Sequence, residues 1–324
     1  MPEASATVEA VKAAAKSVLG TEVGGVSPLP FGNVNKVFRV ETDGRAYAVK
    51  VFRDAGWPEA RKLPWVESRL TQHDVPHARM IHYTRDASHF THGFSVCEFV
   101  EGENCKGLIR EGRLTPEAFC ERAASLLRRV HAISAPRFGY IGDGEGMFDD
   151  FVGRLLACEV FDNLRKVDDG TSLAETLRPR FKGEVEPVLR RFESRFTPAL
   201  VHADCTPKNG MLDAEGRLIF VDWDEAVAGV AVWDYASLTY WYSYMLKDGG
   251  ARDADGFRDA FFRGYGEIGF DRNELREIEW ALHATQAAGE LSYLYTAGDA
   301  PGYRCARELL LRLLGTSPAR LTKR

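Results

Sequence analysis

The spacing of apolar positions divides this chain into a strand-forming first third and a helix-forming remainder. Residues 7–19 place Val8, Val11, Ala15 and Val18 on one helical stripe, which predicts a short leading helix stopped at Gly20. From Val26 the period shortens. Residues 28–40 read as strand, loop, strand, and Asp43-Gly44 supplies a tight turn into the run at 46–51, the start of a small antiparallel sheet. The run Phe94-Ser95-Val96-Cys97-Glu98-Phe99-Val100 is a further strand, ended by Glu101-Gly102. Beyond it the pattern is helical. Thr115-Pro116-Glu117 is a helix start, and Phe119, Ala123, Leu126, Leu127 and Val130 form its buried stripe up to His131. Continuous helices are predicted over 148–167 and 174–196, and three more over 257–265, 271–294 and 302–314. The expectation is an α+β chain of two domains, 1–101 and 102–324, with the boundary in the segment 101–106.

Chemistry concentrates between the two helical blocks. An apolar run ends in Val201-His202-Ala203-Asp204, an amide follows at Asn209, and a second run, Leu218-Ile219-Phe220-Val221, ends in Asp222-Trp223-Asp224. Two strand-like runs thus each deliver a carboxylate at their end. Phosphoryl transfer from a nucleotide needs one acid at the attacking hydroxyl and a second acid with an amide oxygen on the metal. Asp204 is therefore the candidate catalytic base, and Asn209 and Asp222 are the candidate magnesium ligands.

The spacing HxDxxxxN from His202 to Asn209, followed by a strand and Asp222-Trp223-Asp224, resembles the aminoglycoside phosphotransferase family. The resemblance extends over nearly the whole chain. It implies the bilobal protein-kinase-like fold, with a small antiparallel-sheet N-lobe, a larger helical C-lobe, and ATP (GTP as the alternative) with magnesium bound between them. On that resemblance Lys50 in Ala48-Val49-Lys50 holds the phosphates. Taken alone, that lysine reads equally well as the end of an exposed edge strand. Glu67 is expected to hold Lys50, with Glu59 as its rival. The loop Gly32-Asn33-Val34-Asn35 covers the phosphates. Cys97 lies beside the adenine, and the main chain of Glu98 and Val100 binds its edge. His202 supports the Asp204 loop without transferring protons, His131 is a second candidate support, Asp224 holds the Asp222 loop, and Asp234 anchors the helix that follows.

The glycine-dense loop at 138–146, with the segments 201–209 and 222–229, looks most like the hygromycin B branch of that family. The implied acceptor is a hydroxyl of an aminoglycoside. The alternative is a metabolic kinase for an amino alcohol, a methylthio-sugar or homoserine. A non-catalytic pseudokinase is a third reading, and the joint presence of Lys50, Asp204, Asn209 and Asp222 argues against it. Tyr240, Trp241, Tyr242 and Tyr244 read as core before they read as a substrate cage, and Glu274, Glu277, Glu279 and Glu290 as a solvated helix face.

Composition narrows the classes further. The 324 residues are 45% hydrophobic, enough for sizeable cores. A formal net charge of -5 speaks against a sequence-independent grip on nucleic acid and fits a cationic small-molecule partner; that the partner carries a hydroxyl is what the resemblance implies. No apolar run approaches the roughly 20 residues that span a bilayer, and the N-terminal segment lacks a signal-peptide pattern. Six cysteines without a CxxC pair read as reduced packing residues, not as disulfides or zinc ligands. A cytoplasmic monomer or homodimer without membrane attachment is expected.

Overall fold

The computed structural model describes residues 7–30, 34–141, 147–246 and 254–316. The chain divides into two compact units. The first comprises Met1–Glu111, Ile141–Asp143 and Pro207–Ala226; the second comprises Gly112–Tyr140, Gly144–Thr206 and Val227–Arg324.

In the first unit, α1 (Val8–Leu19) starts where Thr7 accepts from the Ala10 amide and ends where the Gly20 amide donates to the Lys16 carbonyl. Its buried face, Val11, Ala14 and Ala15, completes a core with Phe38, Val40, Val49 and Val96. The leading helix is thus packed onto the sheet. That sheet is antiparallel throughout, in the order β1 (Gly25–Pro28), β2 (Lys36–Thr42), β3 (Arg45–Val51), β5 (Phe94–Glu98), β4 (Met80–Thr84). The β2–β3 register, Thr42 opposite Arg45, places the turn at Asp43-Gly44 as the sequence predicts. Helix α2 (Lys62–Gln72) carries Pro64 in its first turn, where a missing amide costs nothing.

A three-stranded sheet completes this unit, in the order β11 (Leu218–Phe220), β10 (Gly210–Asp213), β6 (Gly102–Asn104). The strand pair around the second acid motif is therefore folded with the residues of the chain's first third. Helix α3 (Cys105–Arg110) follows β6 directly, capped by the Asn104 side chain.

The second unit is mainly helical. Helix α4 (Pro116–His131) is capped by Thr115 and buries the predicted stripe, Phe119, Ala123, Leu126, Leu127 and Val130. The two long helices expected next are interrupted. One runs α5 (Phe151–Arg154), a π-helical segment Leu155–Phe161, then α6 (Asp162–Arg165). The other runs α7 (Leu173–Arg180), a π segment Phe181–Val185, then α8 (Glu186–Arg190). Pro179 and Pro187 each lack the amide that an uninterrupted α ladder would use, so the second interruption has a local cause. A four-stranded sheet, β8 (Met147–Phe148), β7 (Phe138–Gly139), β12 (Val227–Gly229), β9 (Ala199–Val201), delivers the first acid motif at the end of β9. Helices α9 (Ala231–Tyr240), α10 (Ala254–Tyr265), α11 (Arg272–Thr296) and α12 (Ala300–Gly315) complete the unit. A third π segment, Trp241–Met245, extends α9. No helix among the described residues is long and apolar enough to cross a membrane.

Candidate active site

The acid that ends β9 sits on a loop whose main chain is held by a single buried carboxylate. Ala203 adopts φ 62°, a left-handed conformation that costs a non-glycine residue about 1 kcal/mol or more, so the surroundings must over-determine it. They do so through Asp234, fully buried in the first turn of α9. Its Oδ2 accepts from the His202 amide at 2.9 Å, and its Oδ1 accepts from the Ala203 amide at 2.8 Å. His131, the last residue of α4, meets Oδ2 through Nε2 at 3.0 Å and meets the Tyr265 hydroxyl through Nδ1 at 3.0 Å. Burial alone would push the Asp234 carboxyl up; the His131 hydrogen bond and charge, with His202, hold it below the usual carboxylate range.

His202 is also fully buried, and its Nδ1 accepts from the Asp204 amide at 3.3 Å. That leaves Asp204 half-buried at the end of a loop fixed from behind. The His202 ring thus lies against the main chain of the Asp204 loop. Asp234 does more than anchor its own helix, because it also ties that helix to the loop. His131 acts on the loop at second hand, through Asp234.

In the first unit the site is built around Lys50. Its ammonium lies 2.6 Å from Asp222 Oδ1 and 2.9 Å from Asp224 Oδ1. Burial would lower the lysine's pKa, but the Asp224 and Asp222 carboxylates overcome that and drive it up, so the lysine is charged. Asp222 adopts φ 65° and ψ 68°, again left-handed, and its side chain remains 45% exposed. Asp224 is buried. Its Oδ2 accepts from Asn35 Nδ2 at 2.8 Å, and its carbonyl accepts from Lys62 Nζ at 2.9 Å. The two metal-ligand candidates are joined through the main chain, since the Val221 amide donates to the Asn209 carbonyl at 2.9 Å. Asn104 fixes the other side of that turn, donating to the carbonyls of Lys208 (2.8 Å) and Gly210 (3.3 Å).

Other candidates are placed differently from the sequence expectation. Glu67 is not brought to Lys50. Its Oε1 meets His77 Nε2 at 3.2 Å and the Thr71 hydroxyl at 3.2 Å, and its Oε2 takes the Met80 amide at 3.0 Å, so it ties α2 to β4. The rival Glu59 forms an ion pair with Lys62 at 2.7 Å. Asp222 and Asp224 are the acids beside Lys50. Gly32 and Asn33 lie outside the described residues. Asn35 is buried, with its Oδ1 accepting from the Arg53 amide at 3.1 Å, so its side chain is committed to joining β2 to the Asp224 loop. Cys97 and Glu98 close β5, where Ala48 faces Cys97. Burial pushes the Cys97 thiol up to about 12. The Glu98 amide donates to the Arg79 carbonyl at 2.8 Å, so an adenine contact there would fall to the Glu98 carbonyl and to Val100.

Of the α11 glutamates only Glu279 leaves the solvated face that the sequence suggests; Glu274 and Glu277 form surface ion pairs. Glu279 is buried against Arg258 and Tyr235, Glu274 pairs with Arg195, Glu277 with Arg191, and Glu290 with Tyr240. Tyr240 and Tyr242 are buried, with Tyr242 stacked on Phe257 at 4.2 Å. Lys62 is the residue that sequence reasoning missed. The available signal was Trp57 five residues before it, an aromatic face over which its ammonium lies at 3.8 Å.

Comparison with known proteins bears on the family and the fold. Residues 25–278 match the model of the phosphotransferase enzyme family. A protein of Enterococcus faecium named "Probable ketoamine kinase" is 26% identical over 219 residues, 61% of this chain and 69% of that protein. Among solved structures, a thermostable mutant of aminoglycoside phosphotransferase APH(4)-Ia in ternary complex with AMP-PNP and hygromycin B matches with a TM-score of 0.67 at 16% identity, covering 94% of this chain and 98% of that one. The choline kinase of Streptococcus pneumoniae matches with a TM-score of 0.65 at 16% identity, covering 95% and 98%. These likenesses establish the kinase-like α+β fold.

Proposed function

The chain belongs to the phosphotransferase enzyme family, and from that premise we propose that it moves the γ-phosphoryl group of ATP onto a hydroxyl of a small, amine-bearing, polyhydroxylated molecule. The observation that carries the reading is the Asp204 loop, held by Asp234 and His202 with Ala203 in a left-handed conformation. A catalytic base must be positioned to a fraction of an ångström, and this loop supplies that rigidity.

Asp204 accepts the proton of the acceptor hydroxyl as its oxygen bonds to the γ-phosphorus and the bond to the ADP oxygen breaks. Lys50, held charged by Asp222 and Asp224, supplies positive charge to the phosphates. Asn209 and Asp222 offer the amide and carboxylate oxygens that suit a hard cation, so their donor set fits magnesium. Bound there, magnesium would neutralise phosphate charge as it develops.

For the acceptor, an aminoglycoside of the hygromycin kind is the first reading, supported by the likeness to APH(4)-Ia. A ketoamine or an amino alcohol is the second, supported by the Enterococcus relative and by the choline kinase. A cytoplasmic location accords with a nucleotide donor.

The test is phosphate transfer from ATP and magnesium across a panel of aminoglycosides, ketoamines and amino alcohols, with Asp204→Ala beside the wild type. Transfer to one class that disappears in the variant identifies the acceptor and supports the base. Wild-type rates from Asp204→Ala would exclude Asp204 from that role.

A further inference from the structure

Lys62 opens α2 with its side chain wholly removed from solvent, which is a costly place for an ammonium unless it has a defined task. Nζ donates to the Asp224 carbonyl at 2.9 Å, lies 2.7 Å from Glu59, and packs over the Trp57 ring at 3.8 Å. The Asp224 carboxylate is bound in turn to Lys50 and Asn35. A continuous line therefore runs from the start of α2, through the main chain and side chain of Asp224, to the phosphate lysine. In the arrangement expected from the sequence, a helix glutamate would hold Lys50 directly. Here the helix supplies a cation, and an aspartate from the metal loop stands between the two lysines.

We propose that Lys62 is a positioning residue for the metal loop: by holding the Asp224 carbonyl it fixes the left-handed turn at Asp222 and so sets the magnesium-dependent part of nucleotide binding. The inference rests on the phosphotransfer reading. It assigns to Lys62 no contact with substrate or metal. Asp222, two residues before the held carbonyl, is the element it controls, and Asp222 would otherwise have to keep φ 65° with less support.

A purely structural lysine would lower stability and leave the magnesium term untouched, so the two roles separate in one experiment. Binding of AMP-PNP is measured by calorimetry with magnesium and with EDTA, for the wild type, Lys62→Met and Lys62→Gln, alongside thermal unfolding. Met fills the slot against Trp57 without a donor, whereas Gln restores a donor toward the Asp224 carbonyl.

The expected result is an about tenfold loss of affinity with magnesium in Lys62→Met, the size of one lost positioning hydrogen bond. Affinity in EDTA should stay within about twofold of the wild type, and Lys62→Gln should recover part of the loss. Equal shifts in both conditions, or an unchanged magnesium term in a destabilised variant, would overturn the tether. If Lys62→Met does not fold, Lys62→Gln decides by the same comparison. Absence of magnesium-dependent binding in the wild type would instead remove the phosphotransfer reading, and this inference with it.

Discussion

Asp234 Oδ2 lies 2.9 Å from the main-chain nitrogen of His202, so a residue in the first turn of α9 holds the chain two positions before the candidate base. The same carboxylate takes the Ala203 amide and the His131 ring. Replacing it by Asn puts an NH2 group against a donor and leaves a buried amide unmatched. Asp234→Asn is expected to cost about 2–4 kcal/mol of stability and to lower kcat by more than about tenfold, because a small displacement of Asp204 is enough. Urea unfolding and steady-state transfer rates check both. A variant with wild-type kcat would show that the loop keeps its geometry without Asp234.

Lys50 and Glu67 should separate cleanly. Lys50 is paired with Asp222 and Asp224, while Glu67 serves His77, Thr71 and the Met80 amide. Lys50→Met is expected to weaken ATP binding and transfer by about a hundredfold or more, the range for losing a preorganised charge on the phosphates. Glu67→Gln is expected to lower stability by about 1–2 kcal/mol through the α2–β4 link, with transfer changed less than about threefold. Comparable losses of transfer in the two variants would mean that Glu67 reaches Lys50 during turnover.

What the sequence disclosed and what it withheld divide along physical lines. The leading helix, the β2–β3 hairpin and α4 were legible because apolar period, turn residues and caps are local properties. The acid motif was legible because its spacing is short. The partner of Lys50 was not, since Asp222 and Asp224 are 172 and 174 residues away and nothing local distinguishes Glu67 from Asp224. The buried state of Lys62 was hidden for the same reason: an isolated lysine in sequence reads as solvated. The π segments were also missed, because a π turn shifts the hydrogen-bond ladder by one residue and barely alters the apolar stripe.

Gly102 offers a test of how the Asn209 turn is supported. A Cβ there would lie 2.1 Å from the Leu212 carbonyl oxygen, so any side chain forces β6 away from β10. Asn104, two residues on, would then lose its hold on the Lys208 and Gly210 carbonyls that flank Asn209. Gly102→Ala should cost about 2–4 kcal/mol and reduce magnesium-dependent transfer. Gly107, inside α3 with open space at its Cβ, is the contrast; Gly107→Ala should be neutral or stabilising by up to about 1 kcal/mol. Equal unfolding midpoints for the two variants would contradict the close approach.

Acidification should destabilise the second unit through His283. The ring is buried on α11 with Nε2 2.9 Å from the Thr239 hydroxyl, and burial lowers its pKa to about 4 against the opposing pull of Glu279. Unfolded, the same ring titrates near 6.5, so between those values the unfolded chain binds the extra proton and stability falls as pH falls. The loss begins near pH 6.5 and reaches at most roughly 3 kcal/mol below pH 4. His77 has the opposite sign. Burial would lower its pKa, but Glu67 and the Val75 carbonyl raise it, so its contribution is complete below pH 6.5 and disappears as pH rises past its elevated value. The depressed carboxylates Asp234 and Glu279 lose their contribution only below the ordinary carboxylate range. The window from pH 6.5 to about 5 therefore isolates His283 among these groups. His283→Gln keeps an acceptor for Thr239 and removes the titration, so its urea midpoint should change less than that of the wild type between pH 7.5 and 5. Parallel changes in the two proteins would assign the acid sensitivity to another group.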